Sequence, residues 1–214
     1  ENENGKIYAS FYVQSQNMME IILDCDLMCH PNSGLYHYCL NLGNYVQKSL
    51  EEKGTLKMGY YIPVSEKNSF EKKENIVIEK KFHRFFQPFL WNCRVWHAPF
   101  QSGRMIPDKR KHKNVKVLLT IHDLNPLHEG KPLVEQKKSV AHTQDLINKS
   151  DAIVCISEFC KSDVLKHCDV KNKPVYVIHN GTHKVHSPFL SDASYKPRRP
   201  FLFGMGYVNR KKNY

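Results

Sequence analysis

Short apolar runs recur along this chain, and they constrain its fold more than any other feature. MEIILDCD, TLKMGYYIP, NIVIEK, CRVWHAPF, KVLLTIHDLNPL, DAIVCIS and PVYVIHNG each hold a brief, mostly branched or aromatic core closed by polar residues, proline or glycine. Runs of that kind suit strands covered on both faces, as in parallel sheets. Strands are therefore expected over residues 19–26, 55–63, 75–80, 93–100, 115–123, 151–157 and 174–181. Helical patterns fall between several of them. In GLYHYCLNLGNYVQKSLEEK, Leu35, Cys39, Leu42, Val46 and Leu50 recur at three- and four-residue steps, with Ser33 as N-cap and Gly54 as stop. A second helix is expected over 133–149, and a short one in SEFCKSDVLKHC, capped by Ser157. Strand followed by helix is the repeating unit. The expected class is α/β, a doubly wound parallel sheet with helices on both faces.

Such sheets bind ligands just beyond the carboxyl ends of their strands. KVLLTIHDLNPL delivers His122 and Asp123 at that position. Spacing alone allows two readings: a chemical pair, or a histidine closing a loop beside an aspartate that caps the next turn. Gly34 opens the first helix, where a glycine lets a ligand approach the backbone amides, or simply makes a turn. The loop before it has neither G-x-G-x-x-G nor G-K-[ST], which argues against a dinucleotide-dependent dehydrogenase and a P-loop nucleotidase.

Hydrophobic residues make up 41% of the 214, enough to bury a core. No stretch nears the roughly 20 apolar residues that span a bilayer, and no signal peptide is visible. The seven cysteines form no C-x-x-C pair and read as reduced core residues of a cytoplasmic protein. Cys25, Cys29, His30, His37 and Cys39 fit no zinc spacing, so no metal is expected. The formal net charge of +11 attracts phosphate, whether in nucleotide, nucleic acid or an anionic leaflet, or it is a solvated lysine-rich surface. It is spread along the chain, which speaks against a nucleic-acid arm, and no nucleic-acid partner is expected. In KKFHRFFQPFLW, basic residues interleave with Phe82, Phe85, Phe86, Phe89 and Trp91. A core helix, a peripheral contact with an anionic membrane and a single-stranded nucleic-acid surface all suit that pattern.

Residues 1–18 read as an extension foreign to the rest of the chain, 19–182 as the α/β domain and 183–199 as a proline-bearing linker. Residues 200–214 read as a fresh strand and basic loop, the threshold of a second domain.

In order, MEIILDCD…SGLYHYCLNL, VWHAPF, LLTIHDLNPL, DAIVCISEFCKSDV, VYVIHNGT and FLFGMGYVNRKKN resemble the retaining GT-B glycosyltransferases of group 1, also called family 4. The resemblance runs from Met19 to the end of the chain. It implies two Rossmann-like domains facing across a cleft, with this chain supplying mostly the acceptor-side one. The implied activity is transfer of a sugar, with retention, from a nucleotide sugar to a glycan or lipid-linked acceptor, as in polysaccharide assembly. A chain without the second domain is then expected to be inactive. The implied roles are catalytic for His122 and Asp123. Gly34, His97, Ser157, Glu158, Asn180 and Gly181 would line the cleft on the acceptor side. Gly206, Lys211 and Lys212 would meet the donor phosphates, although Asn209 and Arg210 depart from the family's acidic residue and proline. The family implies no cofactor beyond the nucleotide-sugar co-substrate, and no metal. The alternative is a non-catalytic α/β module that binds phosphate groups or an anionic membrane surface.

Overall fold

The computed structural model describes residues 19–182, apart from Asn32, Thr55, Lys73, Glu74, Phe89, Trp91, Gly103 and the side chain of Arg84, together with 199–201. The extension at 1–18, nearly all of the linker, and Gly206, Lys211 and Lys212 lie outside the described residues.

Seven strands form one sheet: β1 (Ile21–Asp24), β2 (Met58–Ile62), β3 (Ile76–Ile78), β4 (Val95–Ala98), β5 (Lys116–Ile121), β6 (Ala152–Cys155) and β7 (Val175–Val177). Their order is β3-β2-β1-β4-β5-β6-β7, and every neighbouring pair is parallel. Each lies inside the run that the sequence marks. The helices are α1 (Gly34–Lys53), α2 (Leu133–Lys149) and α3 (Glu158–His167).

Alternation along the strands divides the core in two. Ile22, Tyr61, Trp96, Leu119, Ile121 and Ile153 point to one face, where Leu146 and Ile147 of α2 and Cys160 and Val164 of α3 cover them. Leu23, Met58, Tyr60 and Ile62 point to the other, against Cys39 of α1 and Phe70. The doubly wound architecture, with helices on both faces, is therefore present. Ser33 Oγ accepts from the Tyr36 amide at 3.1 Å and starts α1. Gly54, at φ +60°, ends it in the left-handed region that glycine adopts without strain. Gly43 lets α1 come close to the sheet, since a Cβ there would stand 2.9 Å from the Tyr60 ring of β2 and 2.7 Å from the Phe70 ring stacked on it.

The crossover after β3 departs from one of its expected forms. Among its described residues KKFHRFFQPFLW forms a 3-10 turn, Lys81–Arg84, and Phe82, Phe85 and Phe86 are exposed. It is not a core helix. Phe82, Phe85 and Phe86 recur at helical spacing, but Pro88 stops a helix from running on through them. The charged segment after β2 conceals Phe70, which is buried and stacks on Tyr60 with ring centroids 3.7 Å apart. Among the described residues no helix is long and apolar enough to cross a membrane.

Candidate active site at the strand carboxyl ends

The strand order reverses between β1 and β4. The chain leaves β1 toward β2 on one side and β4 toward β5 on the other, which opens a crevice at their carboxyl ends. His122 stands beside it, one residue past β5. Its backbone N–H donates to Gln101 Oε1 at 3.1 Å, and Gln101 Nε2 donates to the Asp123 carbonyl at 2.8 Å. The Gln101 amide thus brackets the His122–Asp123 backbone. On the ring, Nε2 lies 2.9 Å from the Pro99 carbonyl. A carbonyl can only accept, so Nε2 carries the proton, and in the neutral ring Nδ1 is the free acceptor. Tyr38 of α1 meets the ring edge-on at 4.8 Å between centroids, and Phe100 at 5.1 Å. Burial pushes the imidazole pKa down, against the smaller opposing effects of the Pro99 carbonyl and Asp123. The ring is therefore held neutral and in one orientation.

Asp123 is engaged locally. Its Oδ1 accepts from the Asn125 amide at 3.2 Å and its Oδ2 from Asn125 Nδ2 at 2.5 Å, capping the turn that begins at Asn125. Gly34 opens α1, one helical turn before Tyr38, so both share the face that looks toward His122. A Cβ on Gly34 would meet nothing within 4 Å, so packing does not require glycine there. His97 lies within β4, partly buried, with Nε2 2.9 Å from Thr120 Oγ1. Burial pulls its pKa down to about 4, so it is neutral at pH 7. Ser157 caps α3 by accepting from the Cys160 amide at 3.1 Å, and Glu158 is exposed at that helix's start. Asn180 and Gly181 are exposed beyond β7. His122, Asp123, Gly34 and Tyr38 thus gather at the crevice. Ser157 and Glu158 follow the next strand over, and Asn180 and Gly181 the one after that.

A second group at the same edge is absent from the sequence-level expectations. Asp24 ends β1 fully within the protein, and its Oδ1 accepts from the Asp26 amide at 3.1 Å. Asp26 Oδ2 accepts from Ser102 Oγ at 2.8 Å and lies 3.7 Å from Arg104 Nε, while Arg104 Nη1 lies 3.7 Å from Glu79 Oε1. Two acids closing an apolar strand, in LDCD, were the available signal. Ser102 and Arg104 sit in a loop whose spacing carries none. Among the described residues no group of three His, Cys, Asp or Glu side chains is placed to hold a metal ion.

Burial, reinforced by the Asp26 charge, holds the Asp24 carboxyl well above the ordinary carboxylate range. The folded state then keeps a proton that the unfolded chain gives up. Stability from this group is complete below about pH 4, the unfolded carboxylate range, and is lost as pH rises through the higher folded value. Asp24→Asn retains the Oδ1 acceptor and has no charge to bury. It is expected to raise the melting temperature at pH 7 by more than a neutral surface change of about 0.5 kcal/mol would, with the gain shrinking toward pH 4. Melting curves at the two pH values check this; equal gains at both would remove the linkage.

The family comparison agrees with this fold. A model of Glycosyltransferase Family 4 matches residues 73–184, more than half of the 214-residue chain. Fold and match together define a glycosyltransferase-type N-terminal domain, and the chain belongs to Glycosyltransferase Family 4. Among curated proteins nothing matches.

Proposed function

We propose that this chain is the acceptor-side half of a retaining glycosyltransferase that moves a sugar from a nucleotide sugar to a glycan or lipid-linked acceptor. The observation that carries the reading is the fixed, neutral His122 ring at the carboxyl end of β5, with its Nδ1 left as acceptor. Loss of a nucleoside diphosphate calls for groups that stabilise its growing negative charge. The start of α1 at Gly34 offers unpaired backbone donors and the positive end of a helix dipole. His122 Nδ1 accepts from a hydroxyl of the transferring sugar and fixes the sugar relative to the departing phosphate. Asp123 keeps the loop in shape through Asn125. Gly206, Lys211 and Lys212 belong, in this reading, to the donor side and neutralise the diphosphate. Retention follows from internal return, in which the acceptor enters on the face that the diphosphate leaves. No cofactor beyond the nucleotide sugar takes part.

The test is transfer by the protein expressed from the complete reading frame that contains these residues. Radiolabelled nucleotide sugars are offered with oligosaccharide and lipid acceptors. Nucleotide release coupled to a new glycosidic bond of unchanged anomeric configuration is expected. A folded protein that transfers from no donor would favour the non-catalytic module instead.

A further inference from the structure

The turn that follows β3 is anchored on its inner side and apolar on its outer side. His83 is buried there. Its Nδ1 accepts from the Lys80 amide at 3.3 Å and from the Tyr61 hydroxyl at 3.1 Å. Phe82 meets the His83 ring edge-on at 5.1 Å, and the Lys80 ammonium stands 5.7 Å from the Phe82 centroid. The turn is thus pinned to the sheet, yet Phe82 is 52%, Phe85 67% and Phe86 72% exposed. Lys80 and Lys81 are exposed beside them. The same two lysines line a cleft of about 780 Å³ at the carboxyl ends of β2 and β3, with Arg104, Glu79 and the 64% exposed Val64.

Exposed phenylalanines beside lysine ammoniums match the boundary of a bilayer, where rings enter the acyl region and ammoniums meet headgroup phosphates. The charge agrees, since the chain carries +11 and an anionic leaflet carries the opposite sign. The position agrees as well, because the aromatic turn forms one lip of the cleft.

We propose that the Lys80–Phe86 turn docks on an anionic bilayer and sets this cleft against it. The acceptor is then a membrane lipid with a phosphate in its headgroup. Lys80 and Lys81 supply the counter-charges, while Phe82 and Phe86 enter the acyl boundary. The acceptor assignment rests on the glycosyltransferase reading; the docking does not.

The test begins with sedimentation of the 214-residue chain with vesicles. Vesicles of equal parts phosphatidylcholine and phosphatidylglycerol are expected to take up at least about tenfold more protein than phosphatidylcholine alone, with the difference lost at high salt. The double variant Phe82→Ala/Phe86→Ala, with circular dichroism and melting unchanged, is expected to lose about tenfold in partitioning; so is Lys80→Gln/Lys81→Gln. Equal uptake by both vesicle types, or variants that bind like the parent, would overturn the docking. For the cleft, a water-soluble short-chain phosphatidic acid is titrated calorimetrically. Binding that weakens about tenfold in Lys81→Gln supports the lipid assignment, and equal affinity for inorganic phosphate overturns it. Transfer to a soluble glycan without vesicle binding overturns this proposal and leaves the glycosyltransferase reading standing. Vesicle binding without transfer from any donor supports the docking and overturns the glycosyltransferase reading.

Discussion

Replacing His122 with alanine is expected to lower turnover of the complete enzyme about 10²-fold, the scale on which misplacing a reacting group acts. The melting temperature is expected to move far less. His122 is only partly buried, and the ring's main structural tie is one hydrogen bond, from Nε2 to the Pro99 carbonyl. A net hydrogen bond contributes about 1 kcal/mol. A second variant separates the chemical contact from the structural one. In His122→Gln, the side-chain amide can still donate to the Pro99 carbonyl but offers no acceptor in the place of Nδ1. Stability should return while turnover stays low. Kinetics and melting of the three proteins decide the matter. A glutamine enzyme as active as the parent would reduce His122 to a loop-closing residue.

The largest expected effect on stability belongs to Trp96. It sits fully buried in β4, the strand beside the reversal of order, with the Tyr61 ring at 5.4 Å. Trp96→Ala is expected to cost about 3–5 kcal/mol through lost burial and an unfilled cavity, or roughly 6–20 °C in melting temperature for a domain of this size. That is a large share of the roughly 5–15 kcal/mol that holds an ordinary domain folded. Trp96→Phe should cost much less. The indole Nε1 is buried without a hydrogen-bond partner among the described residues, and phenylalanine removes that desolvated donor along with some volume. Urea titration of both variants is the check. Equal losses would mean that the indole nitrogen is satisfied in solution.

The strands and helices were legible because their signals are local. A run such as VLLTI has few ways to hide its side chains, and Ser33 and Gly54 mark the ends of α1 by their own chemistry. The crossovers were not, because their signals are not local. Phe70 stands among lysines and glutamates, and only the sheet placed beneath it makes it core. In KKFHRFFQPFLW, His83 is buried while Phe82, Phe85 and Phe86 are exposed, because Tyr61 on β2 supplies the partner of His83. His122 was readable as a candidate from its place at a strand end. Its environment was not, since Gln101, Tyr38 and Pro99 come from other elements. The group around Arg104 was hidden for the same reason. Asp26, Glu79 and Arg104 follow three different strands and meet only because those strands share one edge.

The Gln101 bracket also bears on how such a domain could diversify. One side-chain amide fastens the start of the long β4–β5 loop to the backbone at His122 and Asp123. Beyond that fastening, the loop's length and charge can drift while the histidine keeps its register. A lineage could retune what the loop touches without rebuilding the candidate site. Homologues that keep a glutamine at this place should therefore tolerate loop exchange, and those without one should not.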